Sequence, residues 1–117
     1  MKVMQIQMIA TILILAAVLL LALSTIPVSN KIENGTLTVK FILGQKVIDM
    51  KDARFLPVPE ETEHNIIRIG GTSIGKKRSG NFYNYKTKTW YQFYLIGKGA
   101  KTYFEIGDKK YLVDGLE

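Results

Sequence analysis

Hydrophobic and polar positions divide the chain into two unlike parts. From Met8 to Ile26 run 19 residues without a charge, a glycine or a proline. Beyond Asn30 the apolar residues never again form such a block. They alternate with polar ones, or come in short runs set apart by glycine, proline and asparagine. A helix rises about 1.5 Å per residue, so the first stretch reaches roughly 28 Å, close to the thickness of a bilayer's hydrocarbon core. Residues 1–30 therefore read as a membrane-anchor helix with its span at 8–26, ended by Pro27-Val28-Ser29-Asn30 because proline cannot continue the hydrogen-bond ladder. Residues 31–117 read as one small domain.

The same stretch shares features with a cleavable signal peptide. Lys2 gives it a basic head, and Ala22-Leu23-Ser24 imitates a cleavage motif. Its apolar part is longer than the usual signal core, and Ile26, Pro27 and Val28 extend it. That length favours a retained single-pass anchor in the cell membrane. A secreted β protein whose leader has been removed is the alternative. A short basic head followed by a long tail points to a domain outside the cytoplasm.

The tail has the period of strands. Asn34-Gly35 is a tight-turn signal, and Leu37, Val39 and Phe41 then alternate with Thr36, Thr38 and Lys40. Gly44-Gln45 turns the chain into a second run, 46–50. From Lys51 to His64 the pattern fades: Pro57, Pro59 and the acidic Glu60, Glu61 and Glu63 predict an exposed connection. Strand character returns at 65–69, which ends in Gly70-Gly71, and in the aromatic runs 82–85 and 90–96 around a hairpin turn at 86–89. It closes with 103–106 and 109–113 around Gly107-Asp108. Six or seven short strands with no helical apolar stripe predict a mainly β fold, a compact barrel or sandwich.

Charge and composition narrow the function. The net charge is +6 and cysteine is absent, which excludes disulfides, thiolate catalysis and a lipid-modified cysteine anchor. From Lys76 onward nine Lys or Arg face four Asp or Glu, whereas residues 31–73 balance at six against six. Lys76, Lys77 and Arg78 are the densest part of this surplus. They form a candidate site for an anionic lipid or polymer, against the plainer reading of a solvated basic loop. Nucleic acid is disfavoured for a domain outside the cell, and the Tyr and Lys interleaved along 83–94 read as core and cross-strand pairs rather than a base-stacking platform.

Other motifs carry less. Gly70-Gly71-Thr72-Ser73-Ile74-Gly75-Lys76-Lys77 nearly spells a phosphate-binding P-loop. It lacks the final Ser or Thr for magnesium, and Arg78-Ser79-Gly80-Asn81-Phe82-Tyr83 beyond it reads as turn and strand instead of the required helix. His64 is the only histidine and has no cysteine to share a metal with. The carboxylates of 60–63 sit in a charged loop that gives them no contrasting environments, and Ser73 and Ser79 lack a base. These readings point to a non-enzymatic protein without a cofactor.

The segment Ile67-Arg68-Ile69-Gly70-Gly71-Thr72-Ser73-Ile74-Gly75-Lys76-Lys77-Arg78-Ser79-Gly80-Asn81-Phe82 resembles the signature of a bacterial pleckstrin-homology-like family. In that family an R-x-G-G-like run is followed by a small residue, an apolar residue and glycine, and a G-x-F step enters a strand. The likeness extends over residues 35–114, through Tyr91 to Ile96 and the terminal Tyr111-Leu112-Val113. It implies a strongly bent seven-stranded barrel behind amino-terminal membrane spans, with a capping helix for which the three residues after Asp114 leave no room. Fold relatives bind phosphoinositides or peptides, and the family supplies no catalytic residues. Gly70, Gly71, Gly75 and Gly80 are expected to serve as structural glycines at positive-φ turns and sharp bends. Together these features imply a membrane-anchored interaction module of the bacterial envelope, meeting another envelope protein or, alternatively, an anionic lipid or polymer through the basic loop.

Overall fold

A computed structural model describes residues 2–60 and 64–116. It is mainly β, with one apolar helix at the amino terminus. Helix α1 runs Lys2–Leu23, and none of its residues is buried. It begins earlier and stops sooner than the apolar run suggests. Ser24 and Thr25 donate their hydroxyls back to the carbonyls of Leu21 and Ala22, closing the last turn. Ile26 stands before proline and is pushed toward extended backbone. Pro27–Asn30 consequently opens a strand instead of serving as a mere stop.

Among the described residues ten strands come after it: β1 (Pro27–Glu33), β2 (Thr36–Phe41), β3 (Gln45–Asp49), β4 (Arg54–Leu56), β5 (Ile66–Arg68), β6 (Thr72–Ile74), β7 (Lys77–Asn84), β8 (Thr89–Leu95), β9 (Thr102–Ile106) and β10 (Lys109–Val113). They form two open sheets. The first is an antiparallel meander, β1-β2-β3, and its Asn34-Gly35 turn has positive φ at both residues. The second has the order β4-β9-β10-β8-β7-β5, with β6 also paired to β7. Here β10 is antiparallel to β9 and parallel to β8, so the last strand is inserted between two earlier ones.

Apolar alternation explains the packing. Leu37 and Val39 of β2 and Ile48 of β3 turn to one side and meet Tyr94, Phe104, Tyr111 and Val113 of the larger sheet. The opposite face of that sheet holds Phe82, Tyr91, Phe93, Leu95, Tyr103 and Leu112. Strand β8 is thus buried on both faces along its second half, which is why 90–96 reads as nearly continuous apolar sequence. Ring pairs reinforce both clusters: Phe82 lies 4.7 Å from Phe93, and Phe104 lies 5.0 Å from Tyr111.

Two short edge strands were hidden in the sequence. The segment expected to be a connection contains β4, which pairs with β9 at the sheet edge; all three of its residues are exposed, and Pro57 stops it. The glycine-rich segment contains β6, which continues the edge begun by β5 along the same strand, β7. Between them Ile69 and Gly70 both donate their amides to the Asn81 carbonyl, two residues against one. This is a β-bulge, and it turns the edge. Opposite it, Gly71 and Gly80 have φ of 95° and 104°, and a Cβ on Gly80 would lie 2.9 Å from the Gly71 Cα. Gly75 also has positive φ, at the β6–β7 turn. Gly70 does not, and open space surrounds the place of its Cβ, so the expectation of a positive-φ turn fails at that residue. Glu61 and Glu63 lie outside the described residues.

Candidate functional site

The basic trio does not act as one patch. Only Lys76 lies in a turn; Lys77 and Arg78 begin β7, where successive side chains leave opposite faces of the sheet. Lys77 reaches inward, and its ammonium donates to the Pro27 carbonyl at 2.9 Å, bracing the start of β1. Lys76 and Arg78 line a cavity of about 360 Å³ together with Lys101, Leu95, Asp114 and Gly75, Gly97 and Gly99. The strand that begins at Lys77 also disposes of the P-loop resemblance, because the motif needs a helix at that point.

The cavity is built by backbone constraints. Asp114, almost fully buried, accepts the amides of Ile96 at 2.6 Å and Gly97 at 3.0 Å, which folds the chain after β8 back over the end of β10. Gly97 has φ of 86°, and a Cβ there would meet the Lys76 Cβ at 2.8 Å. That absence of a side chain brings the loop after β8 against the β6–β7 turn. Lys101 joins Lys76 and Arg78 only through this fold-back. In the sequence it is one more charge of the carboxy-terminal surplus, and the run Gly97-Lys98-Gly99-Ala100-Lys101 is the signal that could have placed it. Three basic side chains, Lys76, Arg78 and Lys101, thus line one cavity with the buried Asp114.

A second cavity, of about 630 Å³, lies between the 56–60 segment and the other face of the large sheet. Its polar centre is Glu105, whose two oxygens accept from Arg54 Nη2 at 2.9 Å and from the Tyr103 hydroxyl at 2.6 Å. The Tyr103 bond, with help from Lys110 and Arg54, holds the Glu105 carboxyl below its ordinary range. Burial first, and then this carboxylate, push the Tyr103 phenol up. Both groups are therefore fixed in their usual neutral-pH forms, carboxylate and phenol.

A third feature is a row of side chains across β5, β7 and β8. Ile67, Tyr83 and Trp90 are register partners, with Tyr83 and Trp90 rings 4.8 Å apart. Ile67 and Trp90 are exposed. His64 is exposed too, and its carbonyl accepts the Asn84 amide at 3.0 Å. Among the described residues no group of three His, Asp or Glu side chains could hold a metal ion.

No protein-family model, curated protein or solved structure matches the chain.

Proposed function

We propose that this chain is a membrane-anchored, non-enzymatic interaction module of the bacterial cell envelope that meets a protein partner. The observation that carries the reading is α1: 22 residues, apolar on every side and buried nowhere against the domain. A helix apolar all round needs an apolar medium, and the only one long enough here is lipid. Retention rather than cleavage is supported by the junction, since Leu43 donates its amide to the Leu23 carbonyl and Ser79 donates its hydroxyl to the Thr25 carbonyl. Cutting at Ala22-Leu23-Ser24 would remove or free these acceptors. The row Ile67–Tyr83–Trp90, exposed at both ends and half-buried at Tyr83, supports a protein partner. The pleckstrin-homology-like relationship belongs to the same proposal, and the glycine-patterned bulge around Gly71 and Gly80 is its main support.

The basic cavity favours one second reading, the binding of an anionic lipid or polymer by Lys76, Arg78 and Lys101. Two experiments separate the readings. Membranes carrying the full chain are washed with alkaline carbonate, and a photoreactive residue at position 90 is then activated. The proposal expects an uncut, carbonate-resistant chain and one reproducible cross-linked protein. An uncut chain in the soluble pool, or an amino terminus beginning after Ser24, overturns the anchor. The second reading expects salt-sensitive binding to phosphatidylglycerol vesicles that Lys76→Glu with Lys101→Glu abolishes.

A further inference from the structure

We infer that the turn between β2 and β3 is a second membrane contact, seated in the headgroup layer of a bilayer that contains anionic lipid. The inference rests on the anchored reading of α1 and goes beyond it, because an anchor alone leaves the domain free to swing. Hairpin tips ordinarily carry Gly, Asn, Asp or Ser. This one has its glycine at Gly44 and adds Ile42 and Leu43, which stay 48% and 40% exposed.

Two backbone hydrogen bonds fix where the tip sits. Ile42 donates to the Ile26 carbonyl at 3.1 Å, and Leu43 donates to the Leu23 carbonyl at 3.2 Å. Leu23 is the last residue of α1, which has 22 residues. A helix of that length measures about 33 Å, against a hydrocarbon core of about 30 Å. When α1 spans, Leu23 lies at the edge of the core, and the turn bonded to it shares that depth. Exposed apolar side chains held there leave water for the acyl boundary. Lys40, two residues earlier and exposed, supplies the charge such a contact directs at anionic headgroups. The other end of β2, at Thr36, lies roughly 17–20 Å from this turn along the strand and leads into the Asn34-Gly35 turn.

The chain contains no cysteine, so single cysteines report without background. Full-length chains with Leu43→Cys, Glu33→Cys or Leu15→Cys carry a polarity-sensitive fluorophore in vesicles of phosphatidylcholine and phosphatidylglycerol, with and without brominated acyl chains. The expected result is strong quenching at position 15, and at position 43 a blue-shifted emission quenched several-fold more than at position 33. Ile42→Cys repeats the measurement at the neighbouring residue, in case the label disturbs one site. Quenching at 15 with water-like emission at 42, 43 and 33 overturns the turn contact and leaves the anchor standing. No quenching at 15 overturns the anchor and the turn contact together. Emission at 43 that ignores Lys40→Glu and the removal of phosphatidylglycerol removes the anionic requirement.

Discussion

The side-chain amide of Asn30 donates to the backbone carbonyl of Asp114 at 2.8 Å, joining the first strand to the residue just after the last. The same amide donates to the Tyr94 carbonyl at 2.7 Å, so one buried side chain holds both sheets and the carboxy-terminal segment together. Asn30→Ala leaves two buried carbonyls short of a donor and is expected to cost about 1–3 kcal/mol. Asn30→Asp replaces the donor by an acceptor facing two acceptors and is expected to cost more. Chemical unfolding of the detergent-solubilised chain ranks the two.

The contact of Gly71 with Gly80 predicts a contrast between glycines. A Cβ on Gly71 would overlap the Ser79 carbonyl oxygen, in addition to the strain of its φ of 95°. Gly75→Ala meets nothing within 4 Å and carries only the backbone strain, on the order of 1 kcal/mol. Gly71→Ala is expected to lower the thermal midpoint far more than Gly75→Ala. Equal shifts would mean that the two backbones do not approach each other.

Glu105 predicts an acid limb. Its folded pKa lies below the ordinary 4.5, so its contribution is complete above that value and is lost as pH falls through the folded one. Glu105→Gln should therefore be less stable than the parent at neutral pH, with the gap closing below pH 4.5. Tyr103 works in the opposite direction. Its raised pKa gives a contribution that is complete below the ordinary 10.0 and is lost as pH rises through the folded value. Thermal midpoints of Glu105→Gln, Tyr103→Phe and the parent across pH check each sign.

Lys76 and Lys77 are adjacent in sequence but differently placed, Lys77 bonded to the Pro27 carbonyl and Lys76 lining the basic cavity. Lys77→Met removes the donor to the Pro27 carbonyl and is expected to cost about 0.5–1.5 kcal/mol with little effect on anion binding. Lys76→Met, at an exposed turn, is expected to stay within about 0.5 kcal/mol of the parent, and the second reading expects it to weaken binding to anionic vesicles. Paired melting and vesicle co-sedimentation measurements separate the two.

Much of the architecture was legible from local pattern. The apolar run announced α1, Asn34-Gly35 and Gly107-Asp108 announced their turns, and the alternation of Leu37 and Val39 announced a face turned to the core. The elements that escaped notice, β1, β4 and β6, are legible only against the strands they pair with. Strand β4 is a strand only because β9 lies beside it, and its three exposed residues leave no burial pattern to read. Strand β6 was masked by glycines whose meaning, a bulge against Asn81, requires the opposing strand. The basic cavity was half legible. Lys76 and Arg78 came from a charge run, but Lys101 enters through a loop folded back by Asp114, and Lys77 leaves by the parity of a strand.

The place of β10 constrains how the molecule is made. It occupies the middle of the larger sheet, yet it is the last of the sheet's strands to leave the ribosome. At about 5–20 residues per second, Val113 emerges seconds later than Leu23, and until then β8 and β9 have no neighbour to join them. The larger sheet therefore closes only after the amino-terminal helix and all of its other strands have been synthesised.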